Sequence, residues 1–475
     1  MSLGRHKYEE QGELWTATDK LVQGPSSPFY GKLNEILREE QFDSYVESIC
    51  AEYYAEDMGR PGIPPGVYFR MLMVGYFERI VSERGIAWRC ADSLSLRRFL
   101  GFGLDEETPE HSSLCRIRQR FSLELHEEVF GWVLSVLARR GLIDGKTLGV
   151  DSTTLEANAA LRSLVRRDTG EGYEDYLRRL LKEEQGIEDP TRSEIAKFDR
   201  KRKKKGSNDE WENPHDPDAH ITKMKSGGTD MGHKVDQAVD LGGHGAVLGM
   251  TLHGGARGDT QCLPETLQAA QQQLDALGCD PEAAKKMHAK PGSEVVADKG
   301  YHSNETAKRL EDEGRRTYIS EPERRGKRNW EDKHREQKAV YANRRRIRGE
   351  RGKRLLRKRG ELLERPFEHY LDAGGMRRTY LRGHRKIMKR LLVHVAGFNL
   401  GLLMRIIVGY GTPRQYAEAA SAAISALLGL LARLWTGEFR FGRIPAPTRP
   451  FSPEVSAPRL AAYRRPPRAT CSTAC

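Results

Sequence analysis

Cysteine is sparse and scattered in this chain of 475 residues: Cys50, Cys90, Cys115, Cys262, Cys279, Cys471 and Cys475, with no C-x-x-C pair among them. That spacing argues against a zinc ribbon and a disulfide framework, and it fits a reducing compartment. The N-terminus, MSLGRHKYEEQGELW, lacks the apolar core of a secretory signal. Long apolar runs are also few. The strongest, residues 416–435, has the length of a membrane span, yet it is rich in Ala and Ser and carries Glu418 and Arg433. It reads as a buried or partner-facing helix, and no membrane is expected as a partner.

Negative charge is in deficit. Lys and Arg number 79 against 67 Asp and Glu, a net charge of +12 with a pI near 9.3, so a polyanion is the natural partner class. The length implies two or three domains with ample chain for a core.

Residues 28–142 carry apolar positions at three- and four-residue spacing, as in VYFRMLMVGYFERIV and LHEEVFGWVLSVLARRGL, and read as an all-helical domain after a short tail, 1–27. Pro- and Gly-rich breaks fall at 59–65 and 108–111. The period changes at KTLGVDST (146–153), which suits a strand. A charged stretch, 161–217, reads as a helical and partly disordered insertion. Its run Lys201-Arg202-Lys203-Lys204-Lys205 suits either a solvated loop or a DNA-backbone contact. HKVDQAVDL and AVLGMTLHG, joined by Gly242-Gly243-His244-Gly245, read as an antiparallel hairpin. A helix is predicted over 264–277, a buried strand in SEVVADKGYHS, a helix from Asn304, and a short strand at RTYIS. The order β, insertion, ββ, α, β, α, β, α predicts a mixed α/β sheet with helices on its faces, the plan of an RNase H-like core spanning 143–375. Helices are predicted over 376–436, and a disordered Pro- and Arg-rich tail over 437–475.

Two aspartates end apolar strands. Asp151 follows Leu148-Gly149-Val150, and Asp298 follows Val295-Val296-Ala297. A carboxylate in such a place costs free energy unless it is paired, hydrogen-bonded or metal-bound. Taken alone, Asp151 is equally well read as a turn-forming residue that caps the next segment. On neighbouring parallel strands, about 4.8 Å apart, the two side chains converge on one small volume suited to divalent ions. A third carboxylate is expected from RKRGELLERPFEHYLD. Leu363, Phe367 and Tyr370 form an apolar stripe there, with Glu364 about 100° from Leu363 and Glu361 and Glu368 pointing further out. Pro366 brings either a kink or a helix start to the same stretch.

GVDSTTLEAN, VVADKGYHSNET and RGELLERPFEHY, in this order, resemble the three catalytic blocks of bacterial insertion-sequence DDE transposases. The resemblance extends to RPGIPPGVYFRMLMVGYFERIVSERGIAWRCADSLSLRRFLGF and HSSLCRIRQRF in the helical region, and to DPDAHITKMKSGGTDMGHKVDQAVD before the hairpin. It implies Asp151, Asp298 and Glu364 as a metal-binding catalytic triad, with Glu361 as the alternative third member. It further implies two Mg²⁺ ions, replaceable by Mn²⁺, and cleavage of element ends followed by strand transfer. The related signature places a Tyr and an Arg before the Glu and a Lys after it; here those positions hold Arg357, Gly360 and Leu371, with Arg359 and Arg365 as substitutes.

Duplex DNA, both terminal inverted repeats and target, is the implied partner. A homodimer or larger synaptic complex and a cytoplasmic, nucleoid-associated location are implied too. Candidate DNA contacts are Arg116, Arg118 and Arg120, on a groove-reading helix or a solvated basic face. Arg359, Arg365, Arg377, Arg378, Arg382, Arg385 and Lys386, with the basic run 344–348, complete them as phosphate contacts. Two other readings keep the fold: a catalytically silent DNA-binding protein, and a stand-alone metal-dependent nuclease.

Overall fold

The computed structural model describes residues 27–55, 59, 62–202, 206–225, 227–323 and 328–435. Residues 1–26 of the expected tail 1–27, the expected tail 437–475, and Lys203, Lys204 and Lys205 of the basic run lie outside the described residues, while Ser27 opens the first helix.

The N-terminal region is helical: α1 (Ser27–Glu39), α2 (Phe42–Cys50), α3 (Pro65–Phe77), α4 (Glu83–Asp92), α5 (Leu94–Leu100), α6 (His111–Arg120) and α7 (Leu123–Arg139). Pro65 opens α3, where a missing N–H is harmless. The hydroxyls of Ser82, Ser93 and Ser122 accept backbone N–H groups at the starts of α4, α5 and α7. Every residue of α3 is buried. That includes Arg70, which donates to both carboxylate oxygens of Asp43 at 3.1 and 2.7 Å, to Asn34 at 2.7 Å and to the Phe99 carbonyl at 3.2 Å. One guanidinium therefore ties α1, α2, α3 and α5 together.

The chain then enters the sheet with β1 (Thr147–Glu156). Next comes the charged stretch, folded where it is described: β2 (Val165–Arg166), α8 (Tyr173–Gln185), α9 (Arg192–Lys201) and β3 (Trp211–Glu212). Leu177, Leu181, Ile195 and Phe198 give its helices a small core of their own, and Trp211 packs edge-on against Tyr173 and Tyr176. There follow β4 (His220–Lys223), β5 (Thr229–Asp240), β6 (Val247–Gly254), α10 (Asp259–Gly278), α11 (Pro281–Lys286), β7 (Glu294–Ala297), α12 (Asn304–Asp312) and β8 (Arg316–Ile319).

The sheet runs β4-β5-β1-β7-β8, with β6 also on β5. β5 is antiparallel to β1, β4 and β6, whereas β1, β7 and β8 are mutually parallel neighbours. The hairpin turn is held by Asp240, which is buried and accepts the backbone N–H groups of Asp144, Gly242 and Gly243 at 2.7, 2.9 and 3.1 Å. Asp240 is thus a structural carboxylate. Helix α10 begins at Asp259, earlier than the expected 264, because Pro264 is tolerated in its early turns.

The remaining helices are α13 (His334–Arg348), α14 (Glu350–Phe367), α15 (His384–Val408) and α16 (Pro413–Trp435). Pro366 lies inside α14, and the chain passes into a π-helical turn, Glu368–Ala373, directly after it. Of the kink or helix start expected at Pro366, the helix start is not found, since α14 begins at Glu350, and the irregularity beside the proline is this widened turn. The deepest apolar helix is α15, buried continuously from Ile387 to Met404. By contrast Ile424, Leu427, Leu428 and Leu431 of α16 are exposed. One described stretch, His384–Gly429, is long and apolar enough to cross a membrane, but 78% of its most apolar window is buried inside the protein, as in a core helix.

Candidate active site

Register brings the two aspartates together. Val150 of β1 lies beside Ala297 of β7 in the parallel ladder, so Asp151 and Asp298 are the next residues along adjacent strands and project to one face of the sheet. Helix α14 covers that face. Gln237 of β5, opposite Asp151, donates to the Leu363 carbonyl at 2.7 Å and accepts from the Tyr370 hydroxyl at 3.1 Å, which locks the helix to the sheet.

Between the two carboxylates sits Arg359 of α14. One Nη lies 3.9 Å from Asp151 and 3.7 Å from Asp298, too far for a good hydrogen bond, and its buried Nε has no hydrogen-bond partner. The guanidinium is a loosely held counter-charge shared by both acids. The Asp151 side chain is 22% exposed against 50% for Asp298. Burial raises the Asp151 carboxyl above the ordinary aspartate range, and the charge of Arg359 and the Ser152 N–H pull it part of the way back. Two hard oxygen donors on one face, already sharing a cation, fit the ligand chemistry of Mg²⁺ or Mn²⁺.

Glu364 is not part of this cluster. It is exposed, its carboxylate makes no ion pair among the described residues, and five residues of α-helix put it about 140° around α14 from Arg359. Glu361 and Glu368 are exposed as well. The expected stripe of Leu363, Phe367 and Tyr370 is buried, and Arg359 shares that inward side. The basic candidates disperse. Arg118 is buried and paired with Glu83, Arg120 lies 4.4 Å over the Tyr54 ring, and Arg116 alone of the three is exposed. Arg377 bonds Thr153 at 2.8 Å and Asp372 at 2.8 Å, Arg378 faces Glu156 at 3.5 Å, and Arg382 donates to the Asn158 carbonyl at 3.1 Å. Arg365, Arg385 and Lys386 are exposed.

The opposite face of the same strands holds a polar network that the strand pattern did not single out. Ser152, paired with Asp236 across the ladder, donates to Asp259 at 3.1 Å, and the Lys234 ammonium also contacts Asp259. The Tyr301 hydroxyl donates to Asp236 at 3.0 Å. The one sequence signal for it is alternation, since Lys234, Asp236 and Asp240 occupy one side of a buried strand. Ligand atoms of Asp236, His253 and Cys262, all buried, lie within 4.8 Å of one another. Both ring nitrogens of His253 are engaged, by Thr251 at 3.0 Å and Arg257 at 2.8 Å, and burial pushes the Cys262 thiol up to about 12. Those partners make the group a hydrogen-bonded core cluster.

Desolvation pushes Asp236 up to about 6, with Lys234 and Tyr301 opposing it. Between pH 4 and 6 the folded state therefore holds a proton that the unfolded chain has released, so stability falls by about 3 kcal/mol as pH rises through that window. Asp236→Asn keeps an acceptor for Tyr301 and removes the penalty. Its denaturant midpoint should exceed that of wild type at pH 8 and match it at pH 4; loss of stability at pH 8 would instead mean that the ionised Asp236 is stabilised by Lys234 and Tyr301.

A larger cavity, about 810 Å³, is lined by Glu40, Glu124, Glu127 and Glu128, the wrong charge for a polyanion. Comparison with known proteins bears on the face that carries Asp151 and Asp298. A model described as "Transposase domain (DUF772)" matches residues 18–120, and one described as "Transposase DDE domain" matches residues 150–400, more than half of the chain. Neither a curated protein nor a solved structure matches. The sheet is accordingly the RNase H-like core of a protein of transposable elements, one that acts on DNA. The chain belongs to the DDE transposases of insertion sequences.

Proposed function

We propose that this transposase cuts the phosphodiester backbone at the ends of its element and joins the freed 3′-hydroxyl to target DNA, with Asp151, Asp298 and Glu364 as ligands for two Mg²⁺ ions. The observation that carries the reading is the paired placement of Asp151 and Asp298 around one shared positive group. When bound, the ions supply the charge that activates the attacking hydroxyl and stabilises the leaving oxygen in an in-line displacement. Asp151, the more buried acid, and Asp298 would hold the ions in the place Arg359 now takes, and Glu364, which α14 carries outside that pair, would join them as third ligand only after a local rearrangement of the helix. Arg359 gives up its place between the aspartates and turns to a DNA phosphate, where a guanidinium forks well onto oxygen. Mn²⁺ substitutes for Mg²⁺, being another hard oxygen-seeking ion.

Two element ends have to be held together for the joined product, so the active species is a homodimer or larger complex working on DNA in the cytoplasm. Arg116, Arg365, Arg385 and Lys386 are the exposed cations that contact phosphates outside the site. The test is a plasmid assay of excision and integration with the gene's native flanking DNA. Full-length protein with Mg²⁺ is expected to give excised and integrated product, and chelation by EDTA to abolish both. Cleavage without joining would favour the stand-alone nuclease, and metal-independent binding with no cleavage the silent DNA-binding protein.

A further inference from the structure

A cleft of about 360 Å³ opens where β1 runs on past the end of β7, paired there with β5, between the hydroxyl row that follows Asp151 and the turn joining β4 to β5. Ser152 and Thr154 line one wall, Lys223 and Lys225 another, and Lys234 and Arg257 the floor. The floor cations are already spoken for: Lys234 by Asp259 and, at 2.9 Å, by the Arg257 carbonyl, and Arg257 by Glu265 and His253. They hold the cleft's shape. Lys223 and Lys225 differ, since both are exposed and neither ammonium makes an ion pair among the described residues. Their ladder is closed by the Met224 N–H donating to the Gly228 carbonyl at 2.8 Å, so the two lysines stand on an anchored hairpin rather than a loose loop. Lys225 is near enough to Asp151 for its charge to be felt there. Ser152, Thr154 and Lys234 lie on the face opposite Asp151 and Asp298, but Thr153, on the aspartates' own face, also lines the cleft, so its hydroxyls and ammonium groups form a surface for a sugar-phosphate chain passing round the strand toward the site.

We propose that this cleft, with Lys223 and Lys225 as its phosphate contacts, seats the backbone of the DNA strand next to the bond being cut. The inference rests on the proposed DNA-cleaving function, and it assigns DNA contacts to a hairpin outside the basic segments that composition picks out. Each lysine neutralises one phosphate, so each contributes about 0.9 to the slope of log affinity against log salt.

The test is fluorescence anisotropy on a labelled duplex carrying the gene's native flanking sequence, over a range of KCl, with full-length protein. Lys223→Gln/Lys225→Gln is expected to lower the slope by about 1.8 and to weaken binding at least tenfold at low salt. Lys223→Arg/Lys225→Arg should restore both, and Lys285→Gln/Lys290→Gln, an equal charge loss on exposed lysines elsewhere, should leave the slope within about 0.3 of wild type. An unchanged slope in the cleft variant, or an equal fall in the control, overturns the proposal while the transposase reading stands. Wild-type protein that binds no duplex at any salt overturns both.

Discussion

Asp151→Asn is expected to reduce metal-dependent strand cleavage by roughly 10³-fold or more, because an amide oxygen replaces the charged donor at the more buried of the two aspartates. The substitution is nearly isosteric and keeps an acceptor for the Ser152 N–H, now at 2.9 Å. Removing a desolvated charge also relieves a cost the wild-type fold carries: burial already holds this carboxyl above its ordinary range. Thermal midpoint should therefore be equal to or above wild type while cleavage is lost, the opposing pattern expected where activity depends on a destabilised group. Asp298→Asn should lose cleavage similarly. A merely structural role for either residue would show the reverse, a fall in midpoint with cleavage per folded molecule retained. Single-turnover cleavage of a pre-formed duplex complex, with thermal unfolding measured in parallel, separates the two.

The largest effect on stability is expected from Arg70→Met. Its partner Asp43 is 1% exposed, and Arg70 itself is fully buried between the rings of Phe42 and Phe99. Without the guanidinium, Asp43 loses its buried ion-pair partner, and Asn34 and the Phe99 carbonyl lose a donor. Breaking one half of such a pair costs about 3–5 kcal/mol, against about 5–15 kcal/mol for a whole domain. Urea unfolding should show a midpoint shift of that size with an unchanged slope. Asp43→Asn/Arg70→Met should recover part of the loss, since the buried negative charge is then gone. A shift below about 1 kcal/mol in the single variant would mean that Asp43 finds another cation or water.

The elements read well from sequence were those whose side-chain period is uninterrupted. α3 and α7, the hairpin at 242–245, and the two apolar strands ending in aspartate all carry a pattern that burial explains directly. What escaped depends on partners distant in the chain. α15 falls within the helices expected over 376–436, but its depth of burial is masked in sequence by His384, Lys389, Arg390, His394 and Asn399, and the core satisfies most of them. Lys389 donates to the Arg118 and Phe121 carbonyls at 3.0 and 2.6 Å, and Asn399 bonds both backbone groups of Val247 at 3.0 and 2.9 Å. The apolar run 416–435 reads as a buried or partner-facing helix, and nothing local reveals that Ile424, Leu427, Leu428 and Leu431 are exposed. β4 was missed because four residues, HITK, are too few for a period to be seen. The site divides in the same way. Strand position made Asp151 and Asp298 visible, but Arg359 as their shared counter-charge follows from how Gln237 and Tyr370 lock α14 in place. Arg118 and Arg120 show the limit of charge patterning, since a basic helix face says nothing about Glu83 or Tyr54 waiting beneath it.

The most direct test of the central claim, that the two strand-end aspartates hold the catalytic cation, is Mn²⁺ binding followed by electron paramagnetic resonance on DNA-free protein. Wild type is expected to take up Mn²⁺ in a manner competed by Mg²⁺, with Asp151→Asn/Asp298→Asn losing at least tenfold in affinity. Equal Mn²⁺ binding by wild type and the double variant would contradict the account.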